Sequence, residues 1–263
     1  MNSQSKAKDK VWKALRNVAL PDSRFHYDFG EFITDFEGSE LATNRILEMD
    51  VYKNAQVVFV TPDNCLEKLR SQLIRDNKIL LMTTYGIRRG FVELLPGDVS
   101  SGFEDFAVLL DAIEKIGRHI SLEEIQERYK IDLLVTGGSA VTRNGSRAGK
   151  GHGFFDIEWA TLYSIGVVEI STPIIDLVHD CQIVDDEFEI NPYDTICDFV
   201  VTPTQVISIH HPQKPQGGIY WSKLASGMMD QISTLKELIL LSQKGKLKPG
   251  LAESDHPLLT SIG

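Results

Sequence analysis

The chain has 263 residues, with 37 acidic against 27 basic side chains and a formal net charge of −10. A hydrophobic fraction of 42% and a charged fraction of 24% exclude wholesale disorder, and the acidic balance argues against a nucleic-acid partner. No uninterrupted apolar stretch approaches the roughly 20 residues that span a bilayer, so no membrane partner is expected.

Short β-branched runs alternate with amphipathic stretches, which is typical of an α/β domain. In chain order, the pattern predicts helices over 6–17 and 39–47, a strand over 56–61, a helix over 64–74, a strand over 78–83 and a helix over 103–116. A capping box at 121–124 opens a short helix, and a strand over 131–135, a glycine-rich loop and a helix through 159–164 follow. Strands over 167–170, 174–179, 196–201 and 205–209 precede a long helix over 223–242.

The chain reads as one domain. No segment rich in Pro, Gly or Ser is long enough to separate independent domains within residues 1–243, and residues 244–263 are predicted to be a loose C-terminal tail. The N-terminus has no apolar segment of the kind found in secretory signals. Cys65, Cys181 and Cys197 form neither a Cys-x-x-Cys pair nor a disulfide framework, which favours reduced thiols in a cytoplasmic protein.

The most specific segment is the glycine-rich loop at 145–156, Gly-Ser-Arg-Ala-Gly-Lys-Gly-His-Gly-Phe-Phe-Asp. Gly149, Gly151 and Gly153 alternate, and glycine accepts positive φ, so successive backbone N–H groups can turn toward one point. A helix predicted to begin near Phe155 adds the positive end of its dipole. This combination predicts a phosphate site, whereas the alternative is a glycine-rich turn that lets chain segments pack closely.

Charged side chains in the same loop support the phosphate interpretation. Arg147 and Lys150 are cationic donors, and Asp156 can hold Mg²⁺, which takes one or two carboxylates when it binds nucleotide phosphates. The spacing matches neither a P-loop nor the dinucleotide fingerprint of the Rossmann fold.

The loop and its surroundings resemble a known family. The run over 131–156, the Gln-centred segment over 172–185 and the segment over 193–204 together resemble the 5-formyltetrahydrofolate cyclo-ligases, also called methenyltetrahydrofolate synthetases. Pieces at 35–39, 178–182, 203–207 and 214–217 are most similar to the branch called methenyltetrahydrofolate synthetase domain-containing proteins. The resemblance covers roughly residues 5–240 and is strongest over 131–208.

This resemblance implies a fold and a reaction. The fold is a three-layer α/β/α domain with a mixed, mostly parallel sheet, of the type shared with CoA-transferases. The reaction uses Mg-ATP to phosphorylate the formyl oxygen of 5-formyltetrahydrofolate. A neighbouring nitrogen then attacks, phosphate leaves, and 5,10-methenyltetrahydrofolate forms. The partner is therefore a small-molecule reduced folate, and the protein is expected to be a monomer or a homodimer.

The resemblance also assigns site residues. Arg147 and Asp156 would be catalytic, and Asp156 would hold Mg²⁺. An N-terminal Lys of the family reaches ATP, and Lys6, Lys8 and Lys10 compete for that role. The predicted ATP-binding residues are Lys6, Lys10, Arg147, Gly149, Lys150, Gly151, His152, Gly153 and Phe154.

Two departures from the family concern the folate half of the site. The stretch over 61–67 has no Glu at the position where the family places one. Phe154-Phe155-Asp156-Ile157 replaces a Tyr-Tyr-Asp-Arg signature. The alternatives to the folate reaction are therefore a paralogue that acts on another pterin or thiamine-related substrate, and a non-catalytic nucleotide-binding regulator.

Three further polar residues keep two interpretations each. His152 could contact phosphate or face solvent as a spacer. His179 and Asp180 follow a predicted strand, where open α/β sheets bind ligands, or they are structural groups that hydrogen-bond at the strand end.

Overall fold

The computed structural model describes residues 3–249 and 251. Its helices are α1 (Ser3–Leu15), α2 (Ser39–Glu48), α3 (Asp50–Lys53), α4 (Glu67–Arg75), α5 (Glu104–Ala107), α6 (Leu110–Ile116), α7 (Leu122–Arg128), α8 (Phe154–Ser164), α9 (Met228–Gln231) and α10 (Ser233–Gln243). Its strands are β1 (Val57–Val60), β2 (Ile79–Thr83), β3 (Phe91–Leu94), β4 (Arg118–Ile120), β5 (Leu133–Gly137), β6 (Ala140–Thr142), β7 (Arg147–Ala148), β8 (Ile174–Leu177), β9 (Ile183–Val184), β10 (Phe199–Val201) and β11 (Val206–Ser208).

The main sheet of the described residues has eight strands in the order β11-β10-β8-β5-β1-β2-β3-β4. The five central strands, β10, β8, β5, β1 and β2, are parallel, and antiparallel strands flank them on both sides. A second, small sheet pairs β7 with β6 and β6 with β9. The predicted mixed, mostly parallel sheet is confirmed.

Helices cover both faces of the main sheet, because alternate side chains of its central strands point to opposite sides. Phe59 of β1 packs in one core cluster with residues of α7, α8 and α10, whereas Val58 and Val60 pack in another with residues of α2, α4 and α6. All three of these β1 side chains are fully buried. The structure is thus the predicted three-layer α/β/α domain. Within the described residues, no helix is long and apolar enough to cross a membrane.

The predicted strand over 167–170 is wrong. Val167 and Val168 are buried, but they lie in the irregular connection between α8 and β8, just after Gly166 with its left-handed φ of 72°. The carbonyl of Val167 accepts a single backbone bond from Ile131. A short β-branched run does not distinguish a strand from a buried connection.

Two predicted helices are each divided. An extended Leu109 (ψ 142°) separates α5 from α6 within 103–116. Within 223–242, α9 begins only after Gly227, and Ile232 (ψ 101°) separates α9 from α10. Apolar spacing continues across one extended residue, so periodicity alone does not reveal such breaks.

The hydrophobic pattern of the sequence also does not indicate β3 and β4. In β3, a charged residue interrupts the apolar run. Glu93 is fully buried and accepts hydrogen bonds from Arg118 Nε at 2.6 Å and from the Tyr129 hydroxyl at 2.6 Å. The two partners satisfy a carboxylate that would otherwise be unfavourable in a strand core.

The start of the predicted C-terminal tail is bonded to the domain. Lys248 N–H donates to the carbonyl of Ser164 at 2.8 Å, and Lys246 Nζ lies 2.6 Å from Glu123 Oε1. Residue 250 and residues 252–263 of the predicted tail lie outside the described residues.

Candidate active site

A cavity of about 390 Å³ lies where the carboxyl ends of β1 and β5 meet the glycine-rich loop and the start of α8. Ligands of open α/β sheets bind at this edge. Thr61 and Asp63 enter the cavity from the end of β1, and Thr136 and Gly137 enter from the end of β5. The opposite wall comes from 191–195 and 218–228.

The glycine-rich loop lines this cavity from Arg147 onward. Gly151 (φ 118°) and Gly153 (φ 67°) adopt positive φ, which favours glycine, and Gly153 caps α8. Gly149 does not need positive φ, and a Cβ there would meet open space. Because α8 begins at Phe154, its first backbone N–H groups and its positive dipole end lie at the loop.

The N-terminal lysine at the cavity is Lys8, which corrects the choice of Lys6 and Lys10. Lys8 Nζ donates to the carbonyl of Lys150 at 3.4 Å and lines the cavity, whereas Lys6 and Lys10 are exposed and do not line it. Two residues along a helix rotate a side chain by roughly 200°, so Lys6 and Lys10 share a face that Lys8 opposes. Burial lowers the pKa of Lys8.

Lys150 is the second cation at the cavity mouth. Its Nζ donates to the carbonyl of Glu31 at 3.0 Å and lies 4.8 Å from the ring centroid of Tyr85 and 5.6 Å from that of Phe154. Burial lowers its pKa. The aromatic rings hold this ammonium against the loop, where it can meet an anionic ligand.

Arg147 is also at the cavity, but its side chain is largely engaged by the protein. Its Nε lies 3.2 Å from Asp176 Oδ2, its Nη2 donates to the carbonyl of Gly137 at 3.1 Å, and its guanidinium lies 4.6 Å from the Phe155 ring. The side chains of Arg147 and Asp176 are 6% and 0% exposed. Arg147 therefore ties the loop to the ends of β5 and β8.

Asp156 lies in the first turn of α8 and lines the cavity. Its Oδ1 accepts a hydrogen bond from Thr195 N–H at 2.8 Å, and burial raises its pKa. The described residues contain no group of three or more His, Cys, Asp or Glu side chains that could hold a metal without other ligands. One carboxylate beside two lysines and a helix N-terminus does fit Mg²⁺ that is shared with phosphate oxygens.

Asp63 and Glu158 are cavity carboxylates that the sequence pattern did not single out. Asp63 Oδ2 accepts hydrogen bonds from the Thr61 hydroxyl at 2.5 Å and from Gly137 N–H at 3.0 Å. Glu158, on α8, is 3% exposed; one oxygen accepts from the hydroxyl of Thr83, and Oε2 has no partner among the described residues. Burial raises the pKa of Glu158 to about 8.

Signals for both carboxylates were present in the sequence. Asp63 stands in the stretch after the first strand, where carboxyl ends of parallel strands meet. Glu158 is an acidic residue between Ile157 and Trp159 in a largely apolar helix, and a charged residue in such a setting marks a candidate site.

His179 and Asp180 do not line the cavity, and both form hydrogen bonds at the end of the strand, as in the structural alternative. His179 Nδ1 accepts from Cys181 N–H at 3.1 Å, and Asp180 Oδ1 accepts from the Thr202 hydroxyl at 2.6 Å. Gln182, the centre of the Gln-containing family segment, donates through Nε2 to the carbonyl of Gly138 at 2.7 Å. It therefore fixes the chain that leaves β5.

His152 and Phe154 border the cavity mouth. His152 is exposed, and its ring centroid lies 5.3 Å from that of Phe154. Both residues line the cavity. His152 therefore lies beside the cavity whether it contacts phosphate or faces solvent.

The fold and this cavity define an α/β/α domain in which a cationic glycine-rich loop borders the cavity at the carboxyl ends of the strands. The chain belongs to the 5-formyltetrahydrofolate cyclo-ligase family, whose model matches residues 1–203. Membership of this family supports a cyclo-ligase type of activity.

Similar proteins agree with this assignment. The chain is 32% identical over 265 aligned positions to the methenyltetrahydrofolate synthase domain-containing protein of Homo sapiens. This alignment covers 99% of this chain and 67% of that protein. It is 33% identical over 240 residues to the protein of the same name from Danio rerio, covering 89% of this chain and 61% of that protein. The chain thus spans about two thirds of the length of these relatives.

A solved structure supports the fold. The NMR structure of 5,10-methenyltetrahydrofolate synthetase from Aquifex aeolicus superposes with a TM-score of 0.50 at 15% sequence identity. The match covers 80% of this chain and 95% of the other.

Proposed function

We propose that the chain is an ATP-dependent ligase that converts 5-formyltetrahydrofolate to 5,10-methenyltetrahydrofolate. The observation that carries this proposal is the convergence of Lys8, Lys150 and the N-terminus of α8 on one cavity that Asp156 also lines. Phosphate transfer needs little covalent help from a protein; it needs positioned phosphates and neutralised charge.

The residues have distinct tasks in this reaction. Lys8, Lys150 and the N–H groups at the start of α8 bind the ATP phosphates, and Asp156 would hold Mg²⁺. When bound, Mg²⁺ neutralises charge on the phosphate oxygens. Arg147 holds the loop in place through Asp176 and contributes positive charge to the cavity wall.

The proposed reaction has a phosphorylation step and a ring-closing step. The formyl oxygen of the folate attacks the γ-phosphorus of ATP, and ADP leaves. The neighbouring nitrogen of the folate attacks the activated formyl carbon, which forms the new ring bond. That nitrogen loses its proton, and the carbon–oxygen bond breaks to release inorganic phosphate.

A paralogue acting on another pterin or thiamine-related substrate is the second candidate. The observation that favours it is Asp63, whose Oδ2 accepts hydrogen bonds from Thr61 and Gly137 in the stretch where the family's Glu is missing. A non-catalytic nucleotide-binding regulator is the third candidate. A cytoplasmic location and a monomeric or homodimeric state stay predictions.

The test is turnover by purified protein with Mg-ATP and 5-formyltetrahydrofolate. We expect phosphate and the methenyl product to form together, and Asp156→Asn to fold normally but to lose Mg²⁺-dependent turnover. Nucleotide binding without product would favour the changed-substrate paralogue or the regulator. Phosphate release with another pterin or a thiamine precursor would separate those two.

A further inference from the structure

One wall of the cavity lies beyond the residues that the family model matches. Residues 218–228, here called the C-terminal wall, contribute Tyr220, Lys223 and Met228 to the lining. The family model ends at residue 203, whereas the alignment with the Homo sapiens relative covers 99% of this chain. The C-terminal wall therefore lies outside the region that the family model matches, and it borders the same cavity.

The C-terminal wall is anchored to the core by buried side chains. Ile219, Trp221 and Met228 are buried in the core cluster that also contains Trp159 of α8. The indole Nε1 of Trp159 donates to the carbonyl of Pro215 at 2.9 Å, just before the wall begins. A wall held in this way keeps its side chains preorganised for a ligand.

This wall presents aromatic surface and one positive charge to the cavity. The ring of Tyr220 lies 5.4 Å from that of Tyr193 at an interplanar angle of 58°, and both side chains are half-buried. Lys223 is exposed, lines the cavity, and forms no ion pair within residues 3–249. Aromatic faces bind planar rings, and an unpaired ammonium binds a carboxylate.

We propose that the C-terminal wall selects the second substrate by binding an aromatic arm that ends in carboxylate groups. Tyr220 of this wall and Tyr193 of the adjoining 191–195 segment contact the ring of this arm, and Lys223 of the wall binds a carboxylate. The inference rests on the proposed function, because 5-formyltetrahydrofolate carries such an arm.

The rival occupant of this wall is the adenine of ATP. Adenine is planar but carries no negative charge, and the ATP phosphates have Lys8 and Lys150 on the loop side of the cavity. A ring followed by a carboxylate matches both features of the wall, whereas adenine matches only the aromatic one.

The experiment is equilibrium binding by calorimetry, with no turnover required. The probes are 5-formyltetrahydrofolate, 6-methyltetrahydropterin, which lacks the arm, and Mg-ATP. We expect Lys223→Ala to weaken folate binding about fourfold, Lys223→Glu about tenfold and Tyr220→Ala about tenfold. Binding of 6-methyltetrahydropterin and of Mg-ATP should stay unchanged in all three variants.

Lys236→Ala is the matched control, since Lys236 is an exposed lysine on α10 outside the cavity lining. Unchanged folate affinity in all the wall variants would overturn the proposal. An equal loss for the armless pterin would overturn it, as would a loss confined to Mg-ATP. Folate that binds through the wall but is not converted would refute the proposed function alone, whereas a wild-type protein that binds no folate would refute both.

Discussion

The buried pair Arg147–Asp176 is the perturbation whose effect the structure defines best. Arg147→Met removes the guanidinium but keeps much of its volume, and it leaves a fully buried carboxylate without its cation. Breaking a buried pair by removing one partner costs about 3–5 kcal/mol, because the remaining charge stays desolvated. The variant also lacks the hydrogen bond that Arg147 donates to the carbonyl of Gly137.

The magnitude is large relative to total stability. Domains unfold with about 5–15 kcal/mol, and at this chain length 1 kcal/mol moves the melting temperature by about 2–4 °C. We therefore expect the variant to melt roughly 6–20 °C below the wild type at pH values above the raised pKa of Asp176 in the variant, and less far below it at neutral pH. Thermal denaturation followed by circular dichroism, together with urea unfolding, measures the loss.

The loss should depend on pH. Burial raises the pKa of Asp176 to about 6, above its unfolded value, and removing Arg147 raises it further. A group whose folded pKa is raised favours the folded state at low pH and loses that contribution as pH rises through the folded pKa. The gap between variant and wild type should therefore shrink below about pH 5 and widen above about pH 6.

A neutral partner supplies the control. Arg147→Met combined with Asp176→Asn removes the uncompensated charge and should recover more than half of the lost stability. If the free energy of unfolding of Arg147→Met lies within about 1 kcal/mol of the wild-type value and only ATP binding is lost, the guanidinium serves the ligand and not the fold.

Three other changes test separate features. Glu158→Gln should raise the melting temperature most near pH 9 and little near pH 5, because the folded pKa of about 8 lies above the unfolded value; an equal change at both pH values would contradict this. Lys8→Ala should weaken Mg-ATP binding about tenfold in calorimetry, whereas Lys6→Ala and Lys10→Ala should not; equal losses in all three would contradict the placement of Lys8. Ser121→Ala should cost about 1 kcal/mol in urea unfolding, since it removes the capping box of α7; no loss would contradict the cap.

Local patterns were enough to predict the position of the glycine-rich loop. Alternating glycines followed by an apolar helix specify the loop and the start of α8, and the positive φ of Gly151 and Gly153 agrees with the requirement for glycine. The parallel centre of the sheet was equally visible, because fully buried strands read as β-branched runs between helical patterns.

Features that depend on tertiary contacts could not be predicted from the sequence. The choice of Lys8 depends on how α1 is rotated against the loop, and the burial of Glu158 depends on Thr83 from a different strand. Tyr220 and Lys223 join the cavity from a segment far along the chain, and no spacing rule connects them with residues 145–156. Packing between elements decides each of these cases.

In the proposed reaction, the formyl oxygen of the substrate becomes an oxygen of the released phosphate. The direct measurement uses 5-formyltetrahydrofolate labelled with oxygen-18 in the formyl group, Mg-ATP and the wild-type protein, with mass spectrometry of the phosphate. We expect one labelled oxygen in each phosphate, and phosphate formed in an amount equal to the methenyl product. Unlabelled phosphate, or ATP consumption without the methenyl product, would contradict it.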